Sequence, residues 1–239
     1  ISFKDLRPVI LSAFGPPALA CLRTWGRAGM TPGMVCVRNA ADPAPASKYL
    51  ARSVCLTREE LFSDDGLQIV SQFLDAFGAT GLFCIDDNIT RWLNDRQGEL
   101  PKSATVWLPP NGMLQRALDK ALQLEVARRV GMSVLPTYTF CTSGSVAEIP
   151  TEHFPLCLRP SAPGAVEPTF KVHNVASAWD LRDFLDTLEI HKAVIGQPFL
   201  NLPNLVVHGA RTAVGETLGL AGFLVERKFQ GVTLTLSLI

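Results

Sequence analysis

The chain has 239 residues, 47% of them apolar and 18% charged, enough to bury one large core or two to three smaller ones, which excludes a disordered protein. Twenty-two basic residues balance twenty-two acidic ones without a run of either sign, so neither nucleic acid nor an anionic membrane is expected as a partner. No stretch approaches the roughly 18 apolar residues of a membrane helix, and residues 1–12 lack the basic start and small-residue cleavage pattern of a secretory signal.

Residues 8–38 read as strand, helix, strand: a short buried run from Pro8, a helix over Ala18–Ala28, and a second run from Met34 to Asn39. This is a βαβ opening. The turn after the first run holds only Gly15, where a dinucleotide fingerprint needs three glycines, and two prolines occupy the start of its helix, so a nicotinamide cofactor is disfavoured. Residues 39–60, with Pro43 and Pro45, read as a loop, and Ser47, Lys48 and Tyr49 stand out in it.

A helix is predicted from Asp65 to Phe77, with Ile69, Val70, Phe73, Leu74 and Phe77 on one face and Gly78 as its stop. The strand that follows ends in Asp86 and Asp87. Carboxylates at the carboxyl end of a parallel strand face the crevice where open α/β sheets bind ligands; the other reading is capping of a helix that starts at Ile89 or Thr90. A last strand around Trp107 closes a first domain near Pro110.

From Met113 the apolar residues Leu114, Ala117, Leu118, Ala121 and Leu122 recur at helical spacing, but Glu125 breaks the stripe, so two helices are expected to meet near Asp119. Asp119 suits an N-cap, and Arg128 and Arg129 suit the C-terminal turn before Gly131. Lys120 then lies in a first turn, where a cation is unfavourable by roughly 0.3–1 kcal/mol unless an anion lies nearby. It is either a solvated lysine or a phosphate ligand.

This stretch, Asp119-Lys120, an Ala/Leu-rich helix, Arg128-Arg129-Val130-Gly131-Met132 and the exit through Pro136 to Phe140, resembles the ATP-grasp superfamily, in its carbamoyl-phosphate synthase large-chain and carboxylate–amine ligase branch. The resemblance runs along almost the whole chain. It implies an α/β protein with a Rossmann-like pre-ATP-grasp domain over residues 1–110, linker helices over 111–134, an α+β lid over 135–200 and the start of an antiparallel base over 201–239. Ser47-Lys48-Tyr49 is similar to a Ser-(Arg/Lys)-Tyr word in the family, or is ordinary loop polarity.

By the same resemblance, ATP is bound by Lys120, by Arg159 where relatives carry lysine before Pro160, and by Lys171 on the returning lid strand, with Gly164 in the loop between them. The hinge maps onto Gln197, Pro198, Phe199 and Leu200, whose backbone would meet adenine, and Asn204 falls where a ribose-binding group is expected. Gly15, Asp86 and Asp87 would face the non-nucleotide substrate. The implied reaction joins a small-molecule carboxylate to an amine or thiol through an acyl phosphate. The alternative is a non-enzymatic nucleotide- or metabolite-binding module.

The family also implies Mg²⁺ held by a glutamate on one strand and a Glu-x-Asn on the next. Glu216 and Glu226 have no asparagine at that spacing, so no metal ligand is assigned, and the 239 residues are expected to be catalytically incomplete. Six dispersed cysteines and four dispersed histidines suggest reduced thiols in a cytoplasmic protein and no zinc site. A homodimer is compatible with this reading.

Overall fold

The computed structural model describes residues 2–39, 41–109, 111–146, 149–212, 214–229 and 232–239. Its first part is a parallel sheet flanked by helices: β1 (Pro8–Ser12), α1 (Pro16–Arg27), β2 (Gly33–Val37), β3 (Arg52–Leu56), α2 (Arg58–Phe62), α3 (Gly66–Phe77), β4 (Gly81–Cys84), α4 (Asp87–Asp95) and β5 (Thr105–Trp107). The strand order is β3-β2-β1-β4-β5, all pairs parallel. Every residue of β1 and β2 is buried, as a strand covered on both faces requires.

Successive side chains of these strands serve opposite cores. Val9, Leu11 and Val35 pack with Leu74 of α3 and Leu93 of α4, whereas Ile10, Met34 and Cys36 pack with Ala18 and Leu22 of α1. Each fully buried aliphatic side chain contributes about 1.5–3 kcal/mol, so these alternating layers hold the domain together.

Several sequence expectations are corrected here. Residues 39–60 are not all loop, because β3 and the start of α2 lie within them. β3 is an edge strand whose first residues, Arg52 and Ser53, are exposed, so its apolar pattern is weak. α1 starts at Pro16 instead of Ala18, since prolines at the first helical positions surrender no N–H that the helix would use. The boundary placed at Pro110 lies outside the described residues.

Two linker helices follow, α5 (Asn111–Leu118) and α6 (Lys120–Arg129). Asp119 breaks them with extended backbone, and its Oδ1 accepts from the Ala121 and Leu122 amides at 2.9 and 3.1 Å. The N-cap expected from sequence is therefore present.

A second unit comprises β6 (Tyr138–Phe140), β7 (Leu156–Pro160), β8 (Val166–Glu167), β9 (His173–Val175), α7 (Ala178–Asp186), β10 (Glu189–Ile190) and β11 (Val194–Pro198). Its main sheet is antiparallel in the order β6-β11-β7-β9, and β8 pairs with β10. Phe140, Leu156, Leu158 and Val194 close a core with Leu181 and Leu185 of α7, and this cluster takes no residue from the first domain. Beyond it, β12 (Asn204–Arg211), β13 (Thr217–Phe229) and β14 (Val232–Leu238) form an antiparallel meander on which Leu205, Leu218 and Leu220 are exposed. Among the described residues no helix is long and apolar enough to cross a membrane.

The cysteines divide by environment. Burial pushes the Cys84 thiol up to about 12, with the Asp86 carboxylate adding to it, and burial beside Cys55 pushes Cys36 up to about 11. At pH 8 the Cys36 thiolate fraction is roughly one in a thousand, whereas Cys141 is exposed. A thiol reagent at pH 8 should modify Cys141 in the folded protein and reach Cys36 and Cys84 only after denaturation. Mass spectrometry of peptides showing Cys84 labelled as fast as Cys141 would contradict this packing.

Candidate functional site

Two surfaces carry several of the residues singled out by sequence. The first is the crevice beyond the carboxyl ends of β1 and β4. The chain winds outward in one direction through β2 and β3 and in the other through β5, so β1/β4 is the switch point of the sheet, where open α/β folds take ligands. The register Leu11↔Cys84 brings Gly15 and Asp86 to the same edge.

Their chemistry there is limited by local structure. Gly15 is the N-cap of α1 in extended backbone with no side-chain cap, and Pro16 and Pro17 have no N–H to offer an anion. Asp86 caps α4: its Oδ1 accepts from the amides of Asn88 and Ile89 at 2.9 and 3.0 Å. The helix thus begins at Asp87, two residues before the sequence-based start at Ile89. Asp87 is exposed in that first turn and forms no ion pair among the described residues.

The second surface is the face of the β6-β11-β7-β9 sheet turned away from its core. Leu156 and Leu158 point into the core, so Cys157 and Arg159 point out of it. Register then sets their neighbours: Arg159 pairs with Ile195, Cys157 with Gln197 and Asn174, and Ile195 with Thr139. Arg159, exposed, therefore shares one sheet face with Gln197, whose Nε2 donates to Thr137 Oγ1 at 3.0 Å. The Thr137 hydroxyl donates in turn to the Leu135 carbonyl at 2.8 Å, which fixes the carboxamide.

Lys120 reaches the end of β7 through its backbone. Its N–H donates to the Ser161 carbonyl at 2.7 Å, docking the start of α6 onto the end of β7, two residues past Arg159. With the next two amides held by Asp119, three of the first donors of α6 are occupied. An anion at this point would have to be met by the Lys120 side chain and not by the helix end.

The segment expected to form the hinge, residues 197–200, departs from expectation at one atom. The Phe199 N–H donates to the Pro155 carbonyl at 2.8 Å, so it is not open to an adenine edge, although the Phe199 and Leu200 side chains are about half exposed. Asn204 opens β12, exposed and paired with Val225. Lys171 is not on a returning strand: it is an exposed bend residue, and β9 begins only at His173, because Pro168 and the residues around it keep the segment after β8 irregular. Gly164 lies exposed with positive φ in the loop between β7 and β8.

Sequence reading passed over Asn94. It is 7% exposed on α4, and neither atom of its carboxamide has a hydrogen-bond partner among the described residues. It lines a cavity of about 310 Å³ between α4, α5, the start of α6 and Ala162-Pro163 in the loop after β7. Arg91 of α4 donates across this junction to the Pro163 carbonyl at 3.5 Å. Nothing in a polar asparagine near a helix end marked it in advance.

Among the described residues no three histidines, cysteines or carboxylates converge as metal ligands. Glu216 sits in the β12–β13 turn, its amide donating to Thr212 Oγ1 at 3.0 Å, and Glu226 is exposed on β13.

No family model and no curated protein sequence matches the chain. Solved structures do. An L-amino acid ligase from Bacillus licheniformis aligns over 92% of this chain and 51% of its own length, at 14% identity and a TM-score of 0.63. An ADP complex of N5-carboxyaminoimidazole ribonucleotide synthetase aligns over 95% and 56%, at 13% identity and 0.65. A biotin carboxylase–β-γ-ATP complex from Campylobacter jejuni aligns over 97% and 54%, at 13% identity and 0.67. The chain spans about half the length of these structures, and at such identities the likeness is one of fold.

Proposed function

We propose that this chain, which has the ATP-grasp fold, holds ATP against the open face of the lid sheet and serves ATP-dependent ligation of a small-molecule carboxylate to an amine or thiol. The observation that supports the reading is the Lys120 N–H bond to the Ser161 carbonyl, which brings the first residue of α6, distant in sequence, to the end of β7, two residues past Arg159.

The residues fit a nucleotide in part. Lys120 and Arg159 supply two cations for a polyphosphate, with Arg159 able to grip two oxygens at once. Gln197 is held in place by Thr137, and the exposed Phe199 and Leu200 offer apolar surface for a base. Leu200 and Asn204 remain to meet its polar edges, since the Phe199 amide is engaged. ATP would supply the phosphoryl group that activates the carboxylate. The chain's own part is to orient and neutralise the phosphates, which is most of what phosphoryl transfer asks of a protein. We assign no metal ligand within these residues. The carboxylate substrate would approach from the β1/β4 crevice, past Gly15 and Asp87, in a reducing cytoplasmic setting that suits six free cysteines.

Calorimetric titration with ADP tests the reading. Lys120→Ala and Arg159→Ala should each weaken binding by about 1.5–3 kcal/mol, the range for hydrogen bonds to charged groups, with unchanged far-UV circular dichroism. Unchanged affinity in both variants would remove these residues from the site, and failure of the parent chain to bind ADP at all would sink the proposal.

Residues 136–200 should also turn as a unit against the first domain, because their core is separate and polar contacts at Ser161 and Pro163 cross the junction. Spin labels at the exposed positions Gln72 and Arg182, in a Cys141→Ser background, should report an ADP-dependent distance change. A single distance, unaltered by ADP at saturation, would mean a fixed lid.

A further inference from the structure

We infer that the first domain carries a second anion site, for the phosphate of a phosphomonoester metabolite, between α1 and the segment leading into β3. The topology places it away from the β1/β4 crevice. α1 runs back from the carboxyl end of β1 to the amino end of β2, so Arg23 and Arg27 in its second half lie toward the amino edge of the sheet. Residues 46–49 reach the same edge just ahead of β3, tied there by the Ala51 amide donating to the Pro32 carbonyl at 3.0 Å.

A cavity of about 560 Å³ opens between them, in the range of small-molecule sites. Arg23, Arg27 and Lys48 line it, and among the described residues no carboxylate does. None of the three forms an ion pair among the described residues. Arg23 and Arg27 are one helical turn apart on one face of α1, an arrangement of like charges that disfavours a helix unless an anion offsets it. Three converging cations without a counter-charge match a dianionic phosphate, and arginine forks bind phosphate oxygens in pairs.

The site is built and not merely charged. The Tyr49 ring rests on the backbone of Gly26, where a Cβ would fall 2.3 Å from the ring, so no other residue at 26 allows this seat. The Lys48 ammonium lies 5.1 Å from the centre of the same ring. The Arg27 guanidinium and, after it, the Lys48 ammonium beside the Tyr49 hydroxyl lower its pKa below the usual phenol value. Ser47 Oγ accepts from the Tyr49 amide at 3.3 Å, leaving its hydroxyl proton to donate to a ligand. Leu19, one turn before Arg23, gives apolar floor for the organic part of the molecule.

This inference does not rest on the nucleotide reading. Amide chemical shifts of Ser47 and Tyr49 should be followed by ¹H–¹⁵N NMR while inorganic phosphate, and separately ribose 5-phosphate, is added at constant ionic strength. Saturable shifts should appear with both and not with added chloride. Arg23→Ala and Arg27→Ala should each raise the dissociation constant at least about tenfold, and Arg27→Lys should recover only part of the loss. Lys120→Ala and Arg159→Ala should leave phosphate binding here unchanged. Shifts that chloride reproduces, or binding that survives both arginine substitutions, would overturn the site. Shifts at Ser47 and Tyr49 abolished by Arg159→Ala would assign the phosphate to the lid instead, and so also overturn it.

Discussion

Phe140→Ala should cost the second unit about 3–5 kcal/mol, the usual penalty for emptying a buried aromatic position. Phe140 is 1% exposed and, among the described residues, is the largest fully buried side chain of that unit's core. It sits over Gly196, where even a Cβ would come within 2.9 Å of the ring, so the neighbouring strand has no side chain that could swing in to fill the hole. β6 is only three residues long and, among the described residues, pairs with β11 alone, so its docking depends on this ring. Losing it should also loosen Thr137, two residues from Tyr138's neighbour Thr139, and with it the bond that orients Gln197. Hydrogen exchange read by mass spectrometry should show lost protection across residues 138–198 and retained protection across 8–107. Equal loss in both regions would show that the two units unfold as one, contrary to their separate cores.

A comparable loss, about 3 kcal/mol at the upper end of overpacking penalties, is expected from Gly66→Ala. A Cβ at residue 66 would lie 2.0 Å from the Leu61 carbonyl oxygen and 2.5 Å from that of Glu60. These are backbone atoms of α2, held by a reciprocal Thr57–Glu60 capping box, so they cannot give way as a side-chain tip would. Separating α2 from α3 would relieve the clash at the expense of Leu61 and Leu67, both in the larger core. Gly98→Ala is the matched control: among the described residues nothing lies within 4 Å of an added Cβ, and the smaller entropy of the unfolded chain should stabilise the protein by up to roughly 1 kcal/mol. Urea denaturation of the three proteins decides the matter, and a Gly66→Ala midpoint equal to that of the parent would mean that α2 and α3 meet differently.

Local signals carried much of the fold. The mainly apolar β1 and β2, the 3.6-residue stripe of α3 and the break at Asp119 were legible because each depends on neighbours a few residues away. The Thr57–Glu60 capping box was an equally local signal for α2 that the loop reading overlooked. β3 escaped for a different reason: an edge strand half open to water has no need of an apolar pattern. At the site, sequence could nominate Lys120, Arg159 and Gln197 but not join them. That Arg159 stands opposite Ile195, that the Lys120 amide reaches Ser161, and that the Phe199 amide is spent on Pro155 are matters of strand register and long-range backbone bonding. The burial of Asn94 and the meeting of Arg23 and Arg27 with Lys48 are likewise products of packing between segments distant in the chain. Composition and periodicity determine which face of an element is apolar; which faces meet, and so which charges are left without a partner, is settled only when the elements pack together.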